Sequence, residues 1–509
     1  MNGRVIGATA LVAAGALAAA VVGQLPAFGV ADQTQRATPS SAPQSLACPG
    51  PAIAVGADPA DAAALTATGV PVRVAGTVGG TKPKTTVLKK GEVSGGAGPR
   101  ALSAPAASTA GAIAAAQSER VAVGDAAGLV ATSCTVPQSD VWFAAGATTT
   151  GRTTVLTLSN PSSVPAEVTV HVWSEDGPVD TASFGELVVP AKGRTAVSLA
   201  GVAPSAGGTV VRVTSTGGRV GAALEQRTVR GLESGGVDLT GPTAAPALTQ
   251  VVPGVRVAGA AAVASAQRAA DSADLQTVVR VLVPGRRATD VSITATSDAG
   301  GQPIVLGRNV AGGVVTDFPV TGLTDGTYTV RVTAGQPVVT GVRTSVVGDA
   351  RASTAPDDPA TAGGGSASTA VGTDAGLVGG DGPSDTAGTT STPTGTSATS
   401  TARGIDLAWF AAAPRLSATA AVAVVAAPSP LLTIASTGAA ATVRLSGATD
   451  RTVQVPAKGA IAVPVTRGLI VLRGAAGLVA GVSYAGPDAV AGYPVAAADQ
   501  AARAVRISR

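Results

Sequence analysis

Residues able to do chemistry are few in this 509-residue chain, and they are scattered. Its one histidine, His171, lies in the alternating run 168–173 on the same side as Thr169 and Trp173, with no cysteine or carboxylate cluster at ligand spacing around it. One histidine cannot build a multi-histidine metal site, so a solvent-facing or satisfied strand residue is expected. No histidine follows any candidate serine beyond position 171, and no Gly-x-Ser-x-Gly elbow with a trailing Asp and His can be assembled. The pairs Glu175-Asp176 and Asp357-Asp358 have the residue types for glycoside hydrolysis or calcium binding. Asp176-Gly177, like Asp325-Gly326, instead has the signature of a strand connection that needs positive φ. Neither Walker nor Rossmann glycine spacing is found between a strand and a helix. The expectation is a non-enzyme without catalytic residues, metal ligands or cofactor.

Two binding chemistries compete. Lys82, Lys84, Lys89 and Lys90 crowd into one predicted hairpin, while the rest of the chain uses mostly arginine. Such a patch suits anionic wall polymers or phospholipid headgroups, against the plainer reading of a solvated hairpin tip. It lacks interleaved aromatics, so nucleic acid is not an expected partner. Sugar binding by stacking needs exposed rings, and the chain has only three Trp, three Tyr and five Phe. Trp142, Phe143, Trp173, Trp409 and Phe410 are expected in module cores.

The N-terminus sets the compartment. Residues 5–23 are uncharged and follow a short end carrying Arg4. That length exceeds the ~7–15 residues of a signal h-region and approaches the ~20 that cross a bilayer. Residues 1–31 therefore read as a signal peptide or transmembrane anchor, with the anchor favoured. Gly29-Val30-Ala31 suits cleavage, and Ser45-Leu46-Ala47-Cys48 is a poor lipobox. No later segment matches it, since 418–427 is short and closed by Pro428. In an exported chain the two cysteines, Cys48 and Cys134, read as one disulfide.

The elements that carry these residues read as strands. Charged residues make up only 13% of the chain, while Gly (66) and Pro (34) are abundant, so the positive mean hydropathy reflects Ala and Val in short elements between turns. Trp142-Phe143-Ala144-Ala145-Gly146 recurs as Trp409-Phe410-Ala411-Ala412-Ala413, and Pro190-Ala191-Lys192-Gly193 as Pro456-Ala457-Lys458-Gly459. Ala126-Ala127-Gly128-Leu129-Val130-Ala131 recurs at 475–480. Period-2 runs such as 166–173, 277–284, 328–332 and 441–445 place one face on a core and one in solvent. The expected fold is all-β: tandem immunoglobulin-like or fibronectin-like β-sandwich modules after an N-terminal hydrophobic helix, with a propeller as the alternative. Modules are expected at 48–136, 137–245, 246–350 and 404–509. The Thr/Ser/Gly/Pro-rich tract 351–403 reads as a disordered linker or insertion, either O-glycosylated or a bare spacer. Helical or irregular structure is expected only at 61–66 and 106–118.

Cys134, Pro137, Asp140, Trp142-Phe143, Gly146, Gly151, Leu156, Leu158, Asn160-Pro161, Ala166, Val168, Asp176-Gly177 and Pro190, in that order, resemble an actinobacterial family of secreted proteins, domain-of-unknown-function family 5719. The likeness covers most of the mature chain. It is strongest from Cys134 to Val257, including Pro253-Gly254-Val255, and weaker in the middle module, where Gln276 takes the tryptophan's place. The resemblance implies an exported envelope protein with no assigned activity. Together these readings predict a membrane-tethered extracytoplasmic scaffold or adaptor with cell-envelope proteins as partners. The alternative is a binding module for anionic cell-wall glycopolymers.

Overall fold

Alternating Val/Thr runs and glycine-marked turns make nearly every element of this computed structural model a strand; it describes residues 35–37, 44–56, 64–105, 113–123, 126–231, 233–268, 272–350, 403–496 and 505–507. Helical structure among the described residues is confined to Ala260–Ala266 and three single 3-10 turns. No described helix is long and apolar enough to cross a membrane, and the 1–31 segment lies outside the described residues. So does 351–402.

Three units share one strand order. In the second unit (140–240) one sheet runs Asp140–Phe143, Val210–Thr216, Ala166–Ser174, Gly177–Val179, with Leu187–Val189 also on Ala166–Ser174. The other runs Gly193–Ser198, Arg152–Asn160, Gly221–Arg230, Glu233–Thr240. The fourth unit (419–494) repeats this, with Thr419–Val424, Gly468–Arg473, Ala441–Gly447, Arg451–Val455 in one sheet and Ala460–Pro464, Leu431–Ala435, Val479–Gly486, Ala489–Pro494 in the other. In the third unit the sixth and seventh strands are fused into Gly326–Ala350. Its first half pairs with Ala247–Val257 and Thr289–Ser297, and its second half with Val278–Leu282 and Arg403–Ala411. The crossing falls near Gly335-Gln336-Pro337, where the proline has no N–H to give a ladder. Pairing thus carries the third unit past the 351–402 tract to residue 411.

These orders place the sequence repeats. Pro-Ala-Lys-Gly is one turn used twice: it leads into Gly193–Ser198 and into Ala460–Pro464, with Lys192 and Lys458 both at φ 53°. The tryptophan repeat is different. Trp142 lies in the first strand of the second unit, whereas Trp409 lies in the last strand of the third. Likewise 126–131 begins a strand, but 475–480 spans a turn.

The first unit (44–133) is less regular. Gln44–Cys48, Arg100–Ala104 and Lys84–Val87 form one sheet, and Ala126–Ser133, Ile113–Val123 and Val72–Thr77 another. Leu65–Ala67 and Ile113–Val123 are strands, so the helical or irregular expectation is corrected for 65–66 and 113–118; 61–63 and 106–112 lie outside the described residues. Sheet pairing overrides alanine's helix preference there, because each strand finds a partner edge.

Each unit buries the facing sides of its two sheets, and the cores run into one another. Val168, Val170 and Val172 turn inward onto Leu156, Leu158 and Phe143. Arg403–Ala411 serves two cores at once: Leu407 and Trp409 join that cluster, while Ala408 and Phe410 on its other face join Val279, Val281 and Val342. Leu129 and Ala131 of the first unit pack with Val422 and Leu472 of the fourth.

Candidate binding surfaces and a buried acidic seam

Cys48 and Cys134 form the disulfide, tying Gln44–Cys48 to the end of the first unit inside a small core with Leu46, Leu102 and Ile113. The backbone beside it is doubly paired, Ala47 N donating to Thr135 O (2.8 Å) and Thr135 N to Ala47 O (2.9 Å).

The lysine segment is not a hairpin, which corrects the sequence expectation. Lys84–Val87 pairs with Arg100–Ala104, while the preceding Val72–Thr77 belongs to another sheet, so the chain changes sheets between them. Lys82, Lys84 and Lys89 are exposed. Lys90 is half-buried, and its Nζ donates to Gly95 O at 2.7 Å. Lys89 N donates to Lys192 O (2.8 Å), which adds exposed Lys192 from the second unit to the patch.

His171 is exposed on the outward face of Ala166–Ser174, which alternates exposed Glu167, Thr169 and His171 with buried valines. The ladder aligns Trp142, Arg212 and His171 across three strands. Arg212 grips Asp140 with both arms (2.9 and 2.7 Å) and lies over the Trp142 ring at 5.2 Å. Trp142 and Trp173 are stacked, centroids 5.4 Å apart. Trp142, Phe143, Trp409 and Phe410 are buried as expected, but Trp173 is half-buried on the outward face. A cleft of about 160 Å³ continues this face, floored by Thr169, Thr214 and Thr216 and walled by 185–187.

The most unusual groups are acids that sequence reasoning missed. Asp406 is fully buried where all four units meet. Its Oδ2 accepts from Leu129 N (2.9 Å) of the first unit and Val490 N (3.1 Å) of the fourth; its Oδ1 accepts from Val237 N (3.4 Å) of the second and Leu407 N (2.9 Å) of the third. Two glycines make room. A Cβ on Gly128 would stand 2.3 Å from Asp406 Oδ1, and one on Gly236, at φ +108°, 2.6 Å from Leu407 N. Asp238 follows, its Oδ2 accepting from Trp409 N at 2.8 Å. Glu225 Oε2 accepts from Ile53 N (2.7 Å), and Glu119 Oε2 from Ala52 N (3.2 Å). Burial raises all four carboxyls above their ordinary range. Asp238 reaches about 7 and Glu225 about 8, and Asp406 rises well above the usual aspartate value despite its four N–H donors. Among the described residues, the second oxygens of Glu225 and Asp238 have no hydrogen-bond partner.

Beside the seam, arginines join the second unit to the third. Arg280 is fully buried: it binds Asp317 through two 2.8 Å bonds, reaches Thr209 O (3.2 Å), and lies 4.6 Å over the Trp409 ring. The Trp409 indole donates to Gln226 Oε1 at 2.7 Å. Asp274 receives Arg230 (2.6 and 2.9 Å) and Arg152 (2.5 Å). Burial works to raise the Asp274 carboxyl, but the two arginines outweigh it and carry it down to about 2.

Among the described residues no group of three or more His, Cys, Asp or Glu is placed to hold a metal ion. The buried charges of the second and third units lie where the units meet. This defines the class: a multi-unit, nearly all-β protein with buried polar groups at the junctions of its units. The sequence model of a family of unknown function, DUF5719, matches residues 91–404, more than half of the chain, and the chain belongs to that family. No curated protein matches it.

Proposed function

We propose that this protein is a non-enzymatic, extracytoplasmic scaffold or adaptor of the cell envelope, tethered by its N-terminal segment and built from fused β-sandwich modules. The observation that supports this reading most is the Asp406 junction. One carboxyl satisfies N–H groups from all four units, an arrangement that fixes the spacing of distant surfaces. A rigid body that presents several faces is what an assembly platform requires. Proximity labelling in the native cell from a tag at Arg509 tests it. Enrichment of one membrane complex is the expected result, and recovery of bulk envelope proteins alone would refute it.

The exposed lysines favour a second reading, binding of anionic wall glycopolymer. Lys82, Lys84 and Lys89, with Lys192 beside them, make a local cationic surface. On that reading, reversing Lys82, Lys84, Lys89 and Lys90 to Glu abolishes wall retention. Retention unchanged by all four reversals excludes it.

A further inference from the structure

The outward face of the second unit's first sheet has a composition that neither reading uses. Side chains at Glu167, Thr169, His171 and Trp173 share one face of Ala166–Ser174, a run of about 20 Å at the usual rise per strand residue. At one end lies the Thr169–Thr214–Thr216 cleft, in the middle the Arg212–Asp140 fork beside His171, and at the other end the half-buried Trp173. Trp173 is held in place by its stack on Trp142, which is itself anchored among Val210, Leu282 and Val339. The ring is therefore a fixed ledge rather than a swinging side chain.

We propose that this face binds a neutral, linear oligosaccharide, with Trp173 as the stacking surface, the Arg212–Asp140 fork and His171 as the hydrogen-bonding centre, and the threonine cleft as the far end. Each part matches a feature of a pyranose chain. The C–H face of a sugar ring packs on an indole, whose apolar body and polar edge suit a half-wet site. Paired donors and acceptors in fixed geometry read vicinal hydroxyls, as the few polar groups of a ligand site do. Charge selects against anions: Asp140 already neutralises Arg212, and Glu167 and Glu186 border the cleft. The length of the face suits several sugar rings in line and exceeds a monosaccharide. This face is separate from the lysine patch and does not depend on the scaffold reading.

The test is a titration of the full chain with neutral hexasaccharides (cellohexaose, xylohexaose, mannohexaose and chitohexaose), followed by tryptophan emission and, for Trp173→Ala, which lacks the reporting ring, by titration calorimetry. Trp142 and Trp409 are buried and Trp142 stacks on Trp173, so a change reports on the Trp142–Trp173 pair at this face. At least one hexasaccharide is expected to give a saturable shift, which Trp173→Ala and Thr169→Arg each weaken about tenfold or more. Thr169 is exposed, so its variant keeps the test valid if Trp173→Ala fails to fold. Reversal of the four lysines is expected to leave this binding unchanged. The proposal is overturned if no hexasaccharide gives a saturable shift, if binding survives both variants, or if hexagalacturonate binds the same face more tightly.

Discussion

Asp406 concentrates the chemistry of the molecule in one side chain. It is an aspartate in a strand whose neighbours Leu407, Ala408, Trp409 and Phe410 are all buried, and its two oxygens are the acceptors for four backbone donors. Removing it orphans those donors, each costing about 1–3 kcal/mol when buried. Asp406→Ala is therefore expected to lose at least about 3 kcal/mol in urea denaturation, against less than about 0.5 kcal/mol for exposed Asp290→Ala. The raised carboxyls also set a pH dependence. Between pH ~4.5 and 7–8 the unfolded chain has released the protons of Glu225 and Asp238 while the folded chain still holds them. The folded state then binds more protons, so stability falls as pH rises through that window. Asp274 acts in the opposite sense: its contribution is present above pH ~4 and is lost as the pH falls through about 2. Maximum stability is expected near pH 4–5, and Glu225→Gln should flatten the alkaline limb of a pH series of melts. These acids were hidden in the sequence because their burial depends on which units pack against their sheet, and no local pattern encodes that. Glu225 does face out of its own sheet, beside Ala223 and Leu239 toward the first unit, whereas Asp238 pairs with Gln226 on the inner face of the same sheet, where Trp409 from a distant stretch of chain covers it.

At the level of elements, the alternation of Val168, Val170 and Val172 with Glu167, Thr169 and His171 was legible, because a strand's period depends only on its own residues. The Pro-Ala-Lys-Gly recurrence was legible as well, and the structure makes it the same turn in two units. Strand partnership was not. Trp409 repeats the local sequence of Trp142, yet it closes a unit that Trp142's counterpart opens, because pairing depends on which edge is free after a long insertion. The lysine hairpin failed likewise, since the Lys84–Val87 strand finds its partner at Arg100–Ala104 and not in the strand before it. Two element-scale outcomes follow. Gly236→Ala forces a Cβ to within 2.6 Å of Leu407 N at a φ that side chains avoid, and should cost about 1–3 kcal/mol in thermal melts. Cys48→Ser with Cys134→Ser opens an 86-residue loop. The chain-entropy model puts the loss at about 4–5 kcal/mol, read as a lower denaturation midpoint for the first unit.

For the whole molecule, the account rests on the four units behaving as one body. Arg403–Ala411 supplies side chains to two cores, the first unit packs into the fourth, and Arg280 spans the second and third. Shared cores couple unfolding, so residues at the junction should open only with the whole. The direct test is native-state hydrogen exchange at the four amides that meet Asp406, those of Leu129, Val237, Leu407 and Val490, one from each unit. A single fused body predicts the same opening free energy at all four, and a joint loss of protection in Asp406→Asn. Four different opening energies, or a loss confined to Leu407 in the variant, would contradict it.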